Sequence, residues 1–272
     1  MIAAGVRVGA LQAGLPLDPL ENRILLCHAL GLSRVGLITQ SEREISAAEA
    51  SALEALIERR LGGEPIAYIV GKREFFGLDF RVTDAVLIPR PDTELLVELA
   101  LDRLPPGGRA LDMGTGSGAI AVAIAHTRPD ASVSALDVSE AALAVARSNA
   151  AAHGAAVRFM HSDWYGAVAG EVFELIVSNP PYIADGDIHL SQGDLRFEPS
   201  GALTDHADGL SALRTIIAGA PAHLVRQGWL LMEHGYDQAA AVRQLLAEQG
   251  FSEVQSWLDL AGIERVTGGR TR

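Results

Sequence analysis

Four consecutive residues, Asn179-Pro180-Pro181-Tyr182, close an apolar run, Phe173-Glu174-Leu175-Ile176-Val177-Ser178. A run of this length and texture reads as a buried parallel strand, and ligands of open α/β sheets bind at the carboxyl ends of such strands. Each proline fixes φ, lacks an N–H and holds the preceding residue extended. The expected result is a stiff rim that turns the Asn179 amide outward and leaves the Pro180 carbonyl without a helical donor. An amide oxygen beside a free carbonyl makes two acceptors for one planar –NH2 group, and Tyr182 offers a flat face for that group to rest on. Such a corner suits the aiming of a weakly nucleophilic nitrogen.

A second constellation lies upstream. Leu111-Asp112-Met113-Gly114-Thr115-Gly116-Ser117-Gly118-Ala119 reads as a strand, a glycine-rich turn and a helix start. The glycines let the backbone pass close beneath a ligand and leave helix N-terminal N–H groups free for a carboxylate. The third glycine falls one place early for G-x-G-x-x-G, which disfavours a dinucleotide-dependent dehydrogenase. Asp137 ends the next strand, where a carboxylate can accept from two ribose hydroxyls. Asp163-Trp164 follows the strand after that, and Trp164 there could stack on an adenine. Glu233-His234-Gly235 ends the fifth strand, with His234 read as a structural group rather than a base.

These groups need a sheet to bring them to one edge. From Arg109 onward strands are expected at 110–113, 132–138, 157–161, 175–179, 229–233, 253–258 and 265–268. Helices are expected at about 118–126, 140–152, 208–226 and 237–249, the alternation of a doubly wound parallel sheet. Only Asp259–Glu264 separates the last two strands, too little for a parallel crossover, so the final strand should be antiparallel. Upstream, the first 63 or so residues read as a small helical bundle. Asp18-Pro19-Leu20-Glu21 and Ser46-Ala47-Ala48-Glu49 carry helix-start signals, and Gly62-Gly63 is a natural stop. Between these regions Phe76, Leu78, Phe80 and Val82 alternate with period two and are expected to pair with Val86-Leu87-Ile88 in a hairpin. The expected division is residues 1–72 as a helical domain, 73–91 as a β-hairpin linker and 92–272 as the α/β domain.

Bulk properties narrow the function classes. The 272 residues are 49% hydrophobic and 21% charged, with a formal charge of −12. That balance describes a globular chain with a substantial core and gives no global electrostatic attraction to nucleic acid. Cys27 is the only cysteine, read as a small hydrophobe, so no disulfide can form within the chain, as suits a reducing cytosol. The eight histidines are scattered without i, i+4 pairs, so no metal site is expected. The first residues lack a signal-peptide pattern and no stretch is long and apolar enough to span a bilayer. The expectation is a cytoplasmic protein without membrane or metal.

Six parallel strands plus one inserted antiparallel strand describe the sheet of the class I, Rossmann-like S-adenosylmethionine-dependent methyltransferases. Within that class the chain resembles the release factor glutamine methyltransferases of the HemK type. The resemblance rests on Ala67-Tyr68-Ile69-Val70-Gly71, Arg73-Glu74-Phe75, Ile88-Pro89-Arg90-Pro91-Asp92-Thr93-Glu94, Asp112 to Ala121, Ser162-Asp163-Trp164, Asn179 to Ile183, Arg196-Phe197-Glu198-Pro199 and Glu264-Arg265-Val266. Met113 and Ser117 stand where the family favours Leu and Thr. The resemblance implies methylation of the side-chain amide nitrogen of the glutamine in the Gly-Gly-Gln motif of class I peptide-chain release factors, with S-adenosylmethionine as donor and residues 1–72 as a substrate-binding domain that helps hold the protein substrate; a monomer without metal is expected. It assigns Gly114, Thr115, Gly116, Ser117 and Gly118 to the methionine end, Asp137 to the ribose and Trp164 to the adenine. Asn179, Pro180, Pro181 and Tyr182 would hold the glutamine, with Asn179 also beside the cofactor and Asn179 and Pro180 as the catalytic pair. Arg90, Glu94, Phe197 and Glu198 are expected near the mouth, as scaffold or contact. An N6-adenine nucleic-acid methyltransferase is the alternative, since a base amino group and a carboxamide present nearly the same planar –NH2. The acidic charge and the lack of a basic recognition domain argue against it.

Overall fold

The computed structural model describes residues 2–272, which form two compact units, one running to Gly71 and the other Lys72–Arg272. The first unit is helical: α1 Val8–Gly14, α2 Pro19–Leu30, α3 Arg34–Thr39, α4 Ala47–Leu61 and α5 Ile66–Val70. Its start signals act as the side chains dictate. Asp18 accepts from the Leu20 N–H at 2.8 Å. Ser46 and Glu49 form a reciprocal capping box at the head of α4, a device that stabilises a helix start by about 1 kcal/mol. Leu25, Leu26, Leu37 and Leu53 fill the interior, with Cys27 partly buried against them.

The second unit opens on a hairpin, β1 Lys72–Phe75 and β2 Leu78–Arg81. This corrects the expected partner of the Phe76–Val82 run, which was Val86-Leu87-Ile88. Phe76 and Gly77 both adopt positive φ, 52° and 76°, the geometry of a two-residue turn that matches strand twist, so Phe75 closes directly on Leu78. Glu94 stabilises that turn by accepting from the Phe76 N–H at 3.0 Å. The Val86–Ile88 stretch belongs to no strand, and its Ile88 N–H donates to the Glu198 carboxylate at 3.1 Å.

The remaining elements, in order, are α6 Glu94–Arg103, β3 Arg109–Met113, α7 Ala119–Thr127, β4 Ser132–Asp137, α8 Glu140–Ala152, β5 Val157–His161, β6 Phe173–Ser178, α9 Ser200–Leu203, α10 Ser211–His223, β7 Leu224–Glu233, α11 Ala239–Glu248, β8 Ser252–Leu258 and β9 Glu264–Arg270. The strands form one sheet of order β5-β4-β3-β6-β7-β9-β8, in which β9 runs antiparallel to both its neighbours, as its short link requires. α10 stops sooner than expected, because Leu224 already pairs with Phe173 and β7 therefore begins before Trp229.

Alternation along the strands builds two cores. Ala110, Leu175, Val177 and Leu231 face α6 and α7, whereas Leu111, Met113, Ile176, Leu230 and Met232 face α10 and α11. One buried polar group ties the hairpin to this frame. Asn149 on α8 accepts from the Arg81 N–H at 2.8 Å and donates to the Arg81 carbonyl at 3.0 Å and the Ser117 carbonyl at 2.8 Å. Asn149→Leu leaves those groups without partners in a dry place and is expected to destabilise the protein by about 3 kcal/mol, read from the midpoint of urea unfolding.

Candidate active site

A cavity of about 340 Å³ opens at the carboxyl ends of β3, β4, β5 and β6. The chain runs outward from β3 to β4 and β5 on one side and crosses back to β6 on the other, so the cavity lies at the switch point of the sheet. Gly114, Thr115, Gly116, Ser117, Asp137, Trp164, Asn179 and Pro181 all line it. Gly118, Pro180 and Tyr182 do not line it. A Cβ on Gly118 would sit 3.0 Å from the Ala146 Cβ at a φ of +82°, so that glycine serves the packing of α7 on α8.

The glycine turn is held by its own hydrogen bonds. The Gly114 and Thr115 N–H groups both donate to the Leu136 carbonyl at 2.9 Å, and Gly118 N–H donates to Thr115 at 2.8 Å. Gly116 N–H donates to Asp137 Oδ2 at 2.8 Å. The expected set of free N–H groups therefore narrows: among the described residues, those of Ser117 and Ala119 donate to no backbone carbonyl. Beneath the turn Asp112 is 1% exposed, and its Oδ2 accepts from the Thr115 hydroxyl at 2.6 Å. Burial pushes this carboxyl up to about 7, with the Thr115 bond opposing the rise.

Asp137 faces the turn from the end of β4. Oδ1 accepts from Ser139 N–H and Oδ2 from Gly116 N–H, each at 2.8 Å, and each oxygen keeps lone pairs for a further donor. Burial raises its carboxyl pKa while the backbone N–H groups of Ser139 and Gly116 oppose the rise. Trp164 sits opposite with φ +44°, a conformation costing roughly 1–2 kcal/mol outside glycine. Ser162 holds it there, donating to the Trp164 carbonyl at 2.7 Å and accepting from Ala167 N–H at 2.9 Å. At Gly114 and Gly116, with φ of +72° and +55°, an added Cβ would meet no atom within 4 Å; the wall there is bare backbone. Bare backbone, a carboxylate able to take two hydroxyls and an indole rim fit a nucleoside joined to an amino acid, the make-up of S-adenosylmethionine.

At the other side of the cavity Asn179 Nδ2 donates to the Thr93 hydroxyl at 3.2 Å. That bond occupies the nitrogen end of the amide and leaves Oδ1 as the acceptor. Pro180 is buried, and its carbonyl accepts no backbone hydrogen bond among the described residues. Tyr182 does not present its ring to the cavity. Its hydroxyl donates to Glu233 Oε1 at 3.3 Å, and its ring packs against the core on the α10 side of the sheet. His234 is fully buried and bonds to the Gly235 carbonyl at 2.8 Å and the Thr267 hydroxyl at 2.7 Å, as befits a structural group.

In the sequence Thr93 stands out only within the Ile88–Glu94 stretch of the resemblance; its place beside Asn179 depends on tertiary structure. Arg90 lines the cavity and pairs with Glu198, whose carboxylate also holds Ile88 N–H. Together they fasten the 88–90 segment as one wall. Burial raises the Glu198 carboxyl pKa and Arg90 opposes it. Glu94 belongs to the hairpin turn, and Phe197 lies under the Arg196 guanidinium at 4.9 Å, so neither lines the cavity. Among the described residues no group of three or more His, Cys, Asp or Glu side chains is placed to hold a metal ion.

Known proteins share this arrangement. Residues 11–71 match the PrmC N-terminal domain family and residues 91–195 the methyltransferase small domain family. A release factor glutamine methyltransferase of Burkholderia pseudomallei is 58% identical over 264 residues, covering 94% of this chain and 93% of that protein. One of Neisseria gonorrhoeae is 54% identical over 256 residues, covering 93% and 94%. The crystal structure of a methyltransferase from Pyrococcus furiosus shares the fold, with a TM-score of 0.56 at 21% identity over 78% of this chain and 96% of that one. Identity of this extent, running through both units, shows that the chain belongs to the release factor glutamine methyltransferase family.

Proposed function

We propose that this protein methylates the side-chain amide nitrogen of the glutamine in the Gly-Gly-Gln motif of class I peptide-chain release factors. The observation that carries this reading is the Asn179 amide, anchored through its nitrogen to Thr93 on the wall of the cavity that also holds the glycine turn and Asp137. S-adenosylmethionine, when bound, supplies a methyl group made electrophilic by its sulfonium. Gly114 to Ser117 would hold its methionine end, with Gly118 keeping the turn in place, Asp137 its ribose and Trp164 its adenine.

The task of the chain is to aim a poor nucleophile, because the lone pair of a carboxamide nitrogen is delocalised into its carbonyl. Asn179 Oδ1, on the cavity wall, accepts one of its protons, and the adjoining Pro180 carbonyl, which has no backbone donor among the described residues but does not line the cavity, would take the other. They turn the nitrogen toward the methyl and oppose the positive charge that develops there. Positioning of this kind contributes roughly 7–11 kcal/mol in well-oriented reactions, so no strong base is required. After transfer the nitrogen has become strongly acidic and gives up one proton to solvent water. Tyr182 supports the corner from behind by its bond to Glu233.

Incubation with isotopically labelled S-adenosylmethionine and either a class I release factor or an adenine-containing oligonucleotide tests the assignment. The label is expected on the release factor alone, and peptide mass spectrometry is expected to place one methyl on the motif glutamine. Label on the oligonucleotide, or on another side chain, would overturn it.

A further inference from the structure

Both ends of the Asn179–Tyr182 corner lead to one buried carboxylate that takes no direct part in the transfer just described. Tyr182 Oη donates to Glu233 Oε1, Asn179 Nδ2 donates to Thr93 Oγ1, and the Thr93 hydroxyl lies close enough to the Glu233 carboxyl to favour its ionised form. Thr93 is 5% and Glu233 1% exposed. Oε2 of Glu233 makes no hydrogen bond among the described residues, which leaves it open to the neighbouring Thr93 hydroxyl. Register explains the convergence. Ser178 pairs with Met232 across β6 and β7, which sets Asn179 and Glu233 side by side one residue further on.

We propose that Glu233 is a positioning residue for the methyl transfer, setting through the Thr93 hydroxyl which end of the Asn179 amide faces the cavity. The two ends of an amide are almost equal in size, so the polarity of the neighbouring hydroxyl chooses between them. That hydroxyl has one proton and two lone pairs. An ionised Glu233 can only accept. It takes the Thr93 proton, Thr93 accepts from Asn179 Nδ2, and Oδ1 faces the substrate. A protonated Glu233 donates to Thr93 instead. The Thr93 proton is then free to point at Asn179 Oδ1, the amide turns over, and its –NH2 confronts the –NH2 of the substrate.

The proposal rests on the functional reading above, because the value of Oδ1 lies in what it accepts from. The surroundings place the change of state near neutrality. Burial is the largest influence on Glu233 and pushes its carboxyl up to about 7. Thr93 and Tyr182, by hydrogen bonding, and Arg265 on β9, by its charge, favour the ionised form, while Asp92 before α6 opposes it. Turnover should therefore rise with pH through about 7, as Glu233 loses its proton.

The test combines a spectroscopic and a kinetic readout on the full chain. Asn22, Asn149 and Asn179 are its only asparagines, so ¹⁵N-asparagine labelling resolves the Asn179 side-chain NH2 signals by NMR. These are expected to titrate with a midpoint near 7 in the wild type and to stay fixed in Glu233→Gln. Single-turnover rates on a release factor are expected to rise over the same window. In Glu233→Gln they should be flat with pH and about 10- to 100-fold lower, with cofactor affinity unchanged. Thr93→Ser keeps a hydroxyl and should keep both rate and pH profile; Thr93→Val should lose both. The Thr93→Val/Glu233→Gln double variant should be no slower than Thr93→Val alone, as members of one chain are non-additive. If Glu233→Gln does not fold, the two Thr93 variants decide. Asn179 signals indifferent to pH in the wild type, or wild-type rates in Thr93→Val, would overturn the proposal. A wild-type enzyme that leaves release factors unmethylated would defeat the functional reading instead, with the NMR midpoint still reporting on Glu233.

Discussion

Asn179→Ala is expected to lower turnover on a release factor by about 10³-fold, the loss seen when a preorganised hydrogen-bonding partner of the developing charge is removed. Affinity for S-adenosylmethionine should stay close to that of the wild type. The substitution deletes Oδ1, one of two acceptors for the carboxamide protons, and leaves the glycine turn, Asp137 and Trp164 untouched. Its structural cost is small. Asn179 is only partly buried, and its one side-chain bond among the described residues is that to Thr93, worth about 1 kcal/mol. Rapid-quench rates paired with calorimetric titration of the cofactor measure both quantities. Equal loss of rate and affinity would refute this division of labour between the two walls of the cavity.

Asp137→Ala should show the opposite pattern, with affinity for S-adenosylmethionine falling by about 10²-fold or more. Two hydrogen bonds to a charged acceptor, at about 1.5–3 kcal/mol each, would account for it. The same carboxylate accepts from Gly116 and Ser139 N–H groups at 2.8 Å, so its removal also loosens the turn that the cofactor must meet. Asp137→Asn separates these contributions. It keeps the side chain's shape and one acceptor oxygen, but its –NH2 faces whichever of the Gly116 and Ser139 N–H groups the lost oxygen held, so it should lose about 1–3 kcal/mol of stability, less than the alanine variant, and at least tenfold in affinity. Calorimetry with S-adenosylhomocysteine and thermal unfolding without ligand read the two effects apart. Unchanged affinity in Asp137→Ala would remove this residue from the cofactor site.

The sequence by itself determined the sheet and what stands at its edge. The glycine turn, Asp137, Trp164 and Asn179 each come at or just after the end of a strand, and parallel strands put all their carboxyl ends on one side. Adjacency along the chain therefore became adjacency in space, and a local pattern was enough to foresee it. The short link before β9 likewise permitted one direction only. Tertiary structure alone decided matters that depend on contact between distant segments. Phe76 takes a left-handed conformation because Glu94, far along the chain, holds its N–H, and this moved the hairpin from its expected partner. Tyr182 turned from the cavity because Glu233 waits beneath it, and Gly118 proved to answer to Ala146. Thr93 reaches Asn179 across 86 positions. No spacing rule anticipates such a meeting, since the loop between them can close in many ways and only the packed sheet selects one. Burial is likewise a property of the assembled fold, and it is burial that brings the Glu233 and Asp112 carboxyls to about 7, the range in which a carboxyl can act as either donor or acceptor.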